Sequence, residues 1–254
     1  YIAPQLWAWN EKRIKEIKKY INSLYVILPF EKEFFESKHN YPVKFLGHPL
    51  TDSIYNFKTN NTSPNKLITT DKKPIIAILP GSRKQEIKKI LNTVIETVEY
   101  FKEYQFIVAG APNIELSYYT SIIKNKKIKV IENKTYELLS VSYAAIVTSG
   151  TATLETALFK VPQVVCYKSS YFSFVIAKLI VNIKYISLVN LIMDQEIVKE
   201  LIQHDCNKNK ITKELKKILD LNHRKSLKVK YDELTSILGN FGTSKRVALD
   251  IITK

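Results

Sequence analysis

The chain has 254 residues, 45% of them hydrophobic, enough to bury a substantial core in one large domain or two smaller ones. Lys and Arg total 39 against 24 Asp and Glu, a net charge of +15 that favours an anionic partner: a phosphorylated small molecule, an anionic lipid or a nucleic acid. No apolar run reaches the ~18 residues of a membrane span, the first residues show no secretory signal pattern, and Cys166 and Cys206 make neither a CxxC pair nor a disulfide framework, which fits a reducing compartment.

The first stretch, "YIAPQLWAWNEKRIKEIKKYI", predicts a short strand, a turn at Pro4 and a basic amphipathic helix. "SLYVILPF" and "VKFLGHP" are apolar runs of strand length. Residues 56–73, rich in Asn, Thr, Ser and Pro, predict a linker or loop. A regular alternation follows. "PIIAILP" predicts a strand and 84–103 a helix; "QFIVAG" predicts a strand and a second helix after it. "KIKVIEN" leads to the short helix of "TYELLSVSY", "AAIVTS" to the helix of "TATLETALFK", and "VPQVVCY" closes the series. Strands alternating with helices indicate an α/β fold with a parallel sheet. Beyond residue 168 the pattern predicts mostly helices, at 171–181, 194–204, 209–220 and twice more before the end.

Ligands of an open parallel sheet bind outside the carboxyl ends of its strands. Three strands here run into Gly81, Gly110 and Gly150, all on that edge. Glycine permits close backbone approach, and the helix that follows presents free N–H groups and a positive dipole end, a setting for a diphosphate. Arg83 adds a planar fork of donors. Any one of these glycines is also explained as a tight turn; the three together with an arginine point to an anion. Thr151 and Glu155 lie one helical turn apart, and a carboxylate there can accept from two vicinal hydroxyls, as acids hold ribose in dinucleotide folds. The plain alternative for Glu155 is an early-helix acid favoured by the dipole. There is no Asp-x-Asp pair, and the four histidines are too scattered for a metal set, so neither a metal nor another cofactor is expected.

"PQLWAW", "LPFEKEFF", "VKFLGHPLTD", "LPGSR", "TSGTATLETAL", "PQVVCYK" and "YISLVNLI" occur in this order. Together they resemble the lipid-A-disaccharide synthases, GT-B-type glycosyltransferases, from residue 1 to the end. The resemblance implies a Rossmann-like parallel sheet flanked by helices, with C-terminal helices crossing back to an N-terminal domain that is mostly absent. Residues 1–58 would be the tail of that acceptor-side domain, 59–222 the UDP-sugar-binding domain, and 223–254 the crossover helices. The opening at Tyr1 rather than Met fits a missing upstream segment. The implied reaction joins UDP-2,3-diacylglucosamine to 2,3-diacylglucosamine 1-phosphate and releases UDP, in the cytoplasm at the inner face of the inner membrane. By the same likeness Arg83 is the catalytic residue, in contact with the diphosphate or the acceptor phosphate. Gly81, Ser82, Gly110, Ser149, Gly150 and Thr151 lie at the UDP-sugar, Glu155 holds the ribose, and Asn190 lies at the nucleotide. Trp7, Trp9 and Arg13 match the "WAW…R" segment near acceptor or membrane. The general base belongs to the missing domain. Val189 replaces the family's usual Pro, and "MDQE" its small-Gly-Arg-Glu, which puts a role for Gln195 in doubt.

Phe172 and Phe174 lie in "YKSSYFSFVIAKLIVNIKY", an apolar helical pattern with basic flanks that suits an anionic membrane surface, a core helix or a homodimer face. Two rival readings stay open from the sequence. A UDP-N-acetylglucosamine 2-epimerase shares the architecture but typically carries a Gly-Gly turn and paired acids where this chain has "SGTATLE". A basic nucleotide- or nucleic-acid-binding module follows from charge alone, without a stacking, zinc or helix-turn-helix signature, so nucleic acid is not an expected partner.

Overall fold

The computed structural model describes residues 1–60, 72–124, 128–168 and 184–253. They divide into two compact units, one containing Tyr1–Thr59 and Glu233–Lys254, the other Asn60–Ser170 and Tyr185–Asp232.

Unit 1 begins as a loop rather than the expected strand. Ala3 makes a single ladder-like bond, its N–H donating to the Tyr25 carbonyl at 3.1 Å, before Pro4 turns the chain away. Helix α1 (Ile14–Tyr20) follows, then strand β1 (Tyr25–Val26), helix α2 (Pro29–Glu33), strand β2 (Lys44–Phe45) and helix α3 (Leu50–Asn60). The two strands pair in parallel, Tyr25 with Lys44 and Val26 with Phe45. Each is shorter than its apolar run: Pro29 opens α2 immediately after β1, and Gly47, at φ +112, bends the chain after β2. Leu6, Ile14, Ile17, Leu24, Val26, Phe35 and Val43 form the core of this segment. Glu31 is buried beside it, and its carboxylate accepts from the N–H groups of Ile27 (3.1 Å) and Leu28 (2.9 Å) and from Trp7 Nε1 (3.0 Å).

Unit 2 carries a six-stranded sheet. In chain order its elements are β3 (Ile75–Leu79), α4 (Lys84–Ile95), β4 (Gln105–Gly110), α5 (Leu116–Ile123), β5 (Ile128–Glu132), α6 (Thr135–Val141), β6 (Ser142–Thr148), α7 (Thr151–Leu158), β7 (Gln163–Tyr167), α8 (Leu188–Met193), β8 (Lys199–Ile202) and α9 (Lys208–Leu219). Every pairing is parallel, in the spatial order β5-β4-β3-β6-β7-β8. This is the doubly wound order in which the chain first builds one half of the sheet, then returns to the middle and builds the other. Alternate residues of β3 serve the two faces. Ile76 and Ile78 pack with Ile87, Leu91 and Leu215 from α4 and α9; Ile75, Ala77 and Leu79 pack with Leu138 and Leu139 from α6.

Two expectations fail here for visible reasons. The helix predicted over 84–103 stops at Ile95 and gives way to a 3-10 turn at Val98–Tyr100. The hydroxyls of Thr93 and Thr97 bond back to the carbonyls of Lys89 (2.9 Å) and Val94 (2.7 Å), a local competition that ends helices. The helix predicted over 194–204 is instead edge strand β8 with its flanks. Asn190 Oδ1 accepts from the N–H groups of Ile197 (2.8 Å) and Val198 (3.0 Å), and its amide donates to the Val198 carbonyl (2.8 Å), which holds the approach to β8 extended. The expected helix at 171–181 falls outside the described residues.

Helix α10 (Leu221–Leu238) runs through the division between the units at residue 232, and α11 (Thr243–Ile252) completes unit 1. One carboxylate clasps α11. Asp52, on α3, accepts from the N–H groups of Gly242 (2.7 Å), Thr243 (3.1 Å) and Ser244 (2.7 Å), the donors an α-helix start leaves without partners. Arg246 reaches back to the carbonyl of Leu46 through Nε (3.2 Å) and Nη2 (3.0 Å). A Cβ at Gly47 would lie 2.4 Å from Thr243 Oγ1, so only glycine fits. His48 is buried at this junction, its Nδ1 accepting from the Leu50 N–H at 3.1 Å. The "LGHPLTD" segment is therefore a structural clasp.

Burial pulls the Asp52 carboxyl upward, but the bonds from Ser244, Gly242 and Thr243 outweigh it and hold it below its ordinary range. Burial alone depresses the His48 imidazole to about 4. Both groups bind protons more readily in the unfolded chain, so both stabilise unit 1 at neutral pH and withdraw that stability on acidification. For His48 the loss runs from its unfolded value near 6.5 down to about 4 and amounts to roughly 3 kcal/mol. The thermal stability of unit 1, followed through the amide signals of α11, should therefore fall steadily between pH 6.5 and 4. Asp52→Ala should remove about 3 kcal/mol at pH 7, read from urea unfolding of the same signals.

Candidate functional site

The spatial order of the sheet places β3 and β6 side by side while their following helices leave in different directions through the sequence, and a cavity opens between their carboxyl ends. Its volume is about 430 Å³, in the range that holds a small ligand. Gly81, Ser82 and Arg83 come from the turn after β3, Gly110 from the end of β4, and Ser149, Gly150, Thr151 and Glu155 from the turn after β6 and helix α7. These eight expected residues share one lining.

Gly81 has φ +98, and a Cβ there would approach Glu86 Oε2 to 3.0 Å. Gly150 has φ +150, and among the described residues nothing lies within 4 Å of where a Cβ would stand. Both glycines deliver the chain into helix starts, α4 and α7, whose first N–H groups have no intrahelical acceptor. The Arg83 side chain is 81% exposed and bonds Glu86 Oε1 at 2.8 Å. Behind Gly110 the N–H of Ala111 donates to the hydroxyl of the fully buried Tyr119 at 2.8 Å, which fixes that turn. Thr148, at the end of β6, has a buried hydroxyl with no partner among the described residues.

Glu155 is half-buried and accepts from the Tyr136 hydroxyl at 2.9 Å. Burial raises its carboxyl above the ordinary range and the Tyr136 bond opposes that rise. Burial, the Glu155 charge and the shared bond drive the Tyr136 phenol upward, so it stays a donor.

Asn190, expected at the nucleotide, does not line the cavity. It is fully buried and its side chain is committed to Ile197, Val198 and Glu200 Oε1 (2.8 Å). Glu200 in turn accepts from the N–H groups of Ile186 and Ser187, both at 2.9 Å, and the Ile186 carbonyl accepts from Ser149 Oγ at 2.7 Å. Asn190 thus braces the scaffold behind the Gly150 turn instead of facing a ligand.

In unit 1, Trp7 and Trp9 line a separate groove with Lys12 and His39, while Arg13 does not line it and pairs with Glu16 at 3.7 Å. Trp7 spends its indole N–H on Glu31 and sets its ring edge-on to Phe30 at 4.8 Å; Trp9 is exposed. Phe172 and Phe174 lie outside the described residues. Glu86, Tyr136, Thr148 and Tyr167 line or support the cavity without having been expected. Glu86 was accessible to reasoning, three residues beyond Arg83 on a helix; Tyr136 was not, because nothing local links it to Glu155. Among the described residues no three His, Cys, Asp or Glu side chains are grouped to hold a metal ion.

A doubly wound sheet with a cavity at its switch point defines the α/β architecture shared by GT-B glycosyltransferases and sugar-nucleotide epimerases. The solved UDP-GlcNAc 2-epimerase of Neisseria meningitidis has the same fold, with TM-score 0.64 and 14% identity over 100% of this chain and 68% of that one. The model of the Lipid-A-disaccharide synthetase family matches residues 1–249, and the chain belongs to that family. It is 34% identical over 253 residues to the lipid-A-disaccharide synthase of Coxiella burnetii (strain Dugway 5J108-111), covering 98% of this chain and 67% of the relative. It is 34% identical over 262 residues to that of Persephonella marina (strain DSM 14350 / EX-H1), covering 98% and 69%. The chain spans about two thirds of the length of these curated relatives. The epimerase likeness carries the fold alone, and the sequence relatives do not favour the epimerase reading.

Removing the Asn190 amide strands buried donors and an acceptor at once. Asn190→Ala should cost roughly 3 kcal/mol of unfolding free energy and speed hydrogen exchange at the Ile197 and Val198 amides. An unchanged exchange rate there would contradict a bracing role.

Proposed function

We propose that the switch-point cavity binds the UDP moiety of a diacylglucosamine donor. In the proposed reaction, UDP-2,3-diacylglucosamine is joined to 2,3-diacylglucosamine 1-phosphate to form lipid A disaccharide 1-phosphate. The observation that carries the reading is the convergence of the Gly81 and Gly150 turns, Arg83 and Glu155 on one cavity in a chain of this family. The acceptor hydroxyl oxygen forms a bond to the anomeric carbon as the bond from that carbon to the diphosphate breaks; UDP leaves with the electron pair, and the hydroxyl proton is released to solvent or to a base outside this site. The leaving diphosphate gains negative charge at that moment. Donors fixed in advance stabilise it: the N–H groups at the starts of α4 and α7 and the guanidinium of Arg83. Glu155 accepts from the ribose hydroxyls.

The acylated substrates belong to a membrane, and no helix among the described residues is long and apolar enough to cross one. The proposal places the chain at the inner face of the inner membrane as a peripheral protein. Trp9, exposed in unit 1, and Phe172 and Phe174 are the aromatic residues it assigns to acceptor or lipid contact.

UDP at a hundred times its dissociation constant should stabilise the protein by about 2.7 kcal/mol, visible as a raised midpoint of thermal unfolding, while an oligonucleotide should not. Arg83→Ala should weaken UDP binding by roughly 2 kcal/mol in titration calorimetry. Equal affinity in parent and variant would remove Arg83 from the site.

A further inference from the structure

Glu155 does not meet the cavity as an isolated acid. Tyr136, in the first turn of α6, donates its hydroxyl to Oε1 at 2.9 Å, so that oxygen is already oriented before any ligand arrives. The tyrosine ring also packs at the end of the helix it bonds to: its centroid lies 5.2 Å from that of Phe159, the C-cap of α7, whose N–H donates to the Glu155 carbonyl at 3.0 Å. Thr135, the neighbour of Tyr136, lines the cavity, so α6 contributes to the wall as well as to the bond. A carboxylate offers about four lone-pair sites, and one donor takes only one of them.

We infer that Tyr136 is a positioning residue for the ligand's vicinal diol, holding the Glu155 carboxylate in the one rotation that presents Oε2 and the second lone pair of Oε1 to the two hydroxyls. This rests on the proposed binding of a UDP-sugar. Without Tyr136 the carboxylate can rotate, and each rotation offers the two hydroxyls a different pair of acceptors. Selectivity for the diol over a single hydroxyl falls accordingly. The bond has a second effect. Burial raises the Glu155 carboxyl and the Tyr136 bond lowers it, so loss of the hydroxyl leaves burial less opposed. Among the described residues, the other groups facing this part of the cavity are Thr151 on the same helix, Arg83 and Glu86 from the α4 side and Tyr167 from the end of β7. Arg83 pairs with Glu86, while Tyr136 is bonded to Glu155 itself.

The test is titration calorimetry of UDP and 2′-deoxy-UDP, from pH 4.5 to 8, on the whole chain and on Tyr136→Phe, Glu155→Gln and the double variant. Phenylalanine keeps the ring against Phe159, and circular dichroism checks the fold. The parent should prefer UDP by about tenfold, the scale of one hydrogen bond, and Tyr136→Phe should bring that preference below about threefold. The acid limb of UDP binding should move to higher pH in Tyr136→Phe, because the acid is then protonated earlier. In the Glu155→Gln background the Tyr136→Phe change should alter nothing further, which is the signature of a residue acting through another. A Tyr136→Phe variant that keeps the parent's preference and acid limb overturns the inference and leaves the nucleotide site standing. An equal effect of Tyr136→Phe with and without Glu155 overturns it as well. A parent chain that binds neither nucleotide overturns the UDP reading itself. Carboxyl carbon signals of Glu155 in the ligand-free protein supply an independent readout: a titration midpoint that does not rise in Tyr136→Phe contradicts the tuning.

Discussion

The site depends on one topological constraint. A parallel strand must be followed by a crossover, and in unit 2 the crossovers from β3 and β6 run toward opposite edges of the sheet. Among the described residues no helix or strand lies across the gap between the two departures, where the cavity opens. The backbone must turn sharply on both sides of that gap, which calls for glycine at 81 and 150, and both turns release helix starts toward it. The cavity, its floor at Gly150 and its supply of N–H donors all follow from the strand order.

Electrostatics at the cavity run against the composition of the chain. The protein as a whole carries +15, yet among the described residues the charged side chains lining the cavity are Arg83 against Glu86 and Glu155. Lysines spread over the surface raise the general potential and lie within reach of counterions, so they do little at one point in salt. Affinity for an anion must then come chiefly from fixed backbone dipoles, which lose no conformational freedom on binding, with Arg83 as the mobile supplement. Glu86 supports that division of labour: its bond to Arg83 Nη1 keeps the long arginine side chain beside the cavity.

What could be read from the sequence was what neighbouring residues decide. Apolar runs ending in Gly81, Gly110 and Gly150 announce strand ends and turns, and eight expected residues meet in one cavity because they occupy corresponding positions on successive strand-to-turn units. The failures share a cause. Residues 194–204 carry enough helical spacing to look like a helix; the Asn190 side chain, bonded to the amides seven and eight residues later, and pairing with β7 hold the segment extended. Asn190 itself was expected to face ligand because a motif marks which residues matter and not what they touch. The Tyr136–Glu155 bond spans 19 positions and the Asp52 clasp 190 or more, and no periodicity encodes a contact at such distances.

The Asp52 clasp also orders events in time. Unit 1 is assembled from the two ends of the chain, while every residue of the sheet in unit 2 lies between them. On a ribosome the six strands and their helices can pair and bury their core as soon as β8 and α9 have emerged. Asp52, made about 190 residues earlier, must hold its carboxylate in water until Gly242, Thr243 and Ser244 leave the exit tunnel. The nascent chain therefore carries a completed six-stranded sheet while the Asp52 clasp is still open. Closure of the large loop between residues 52 and 242 comes after that of the sheet, and a prefolded insert spanning most of that loop shortens the entropic reach the closure must cover.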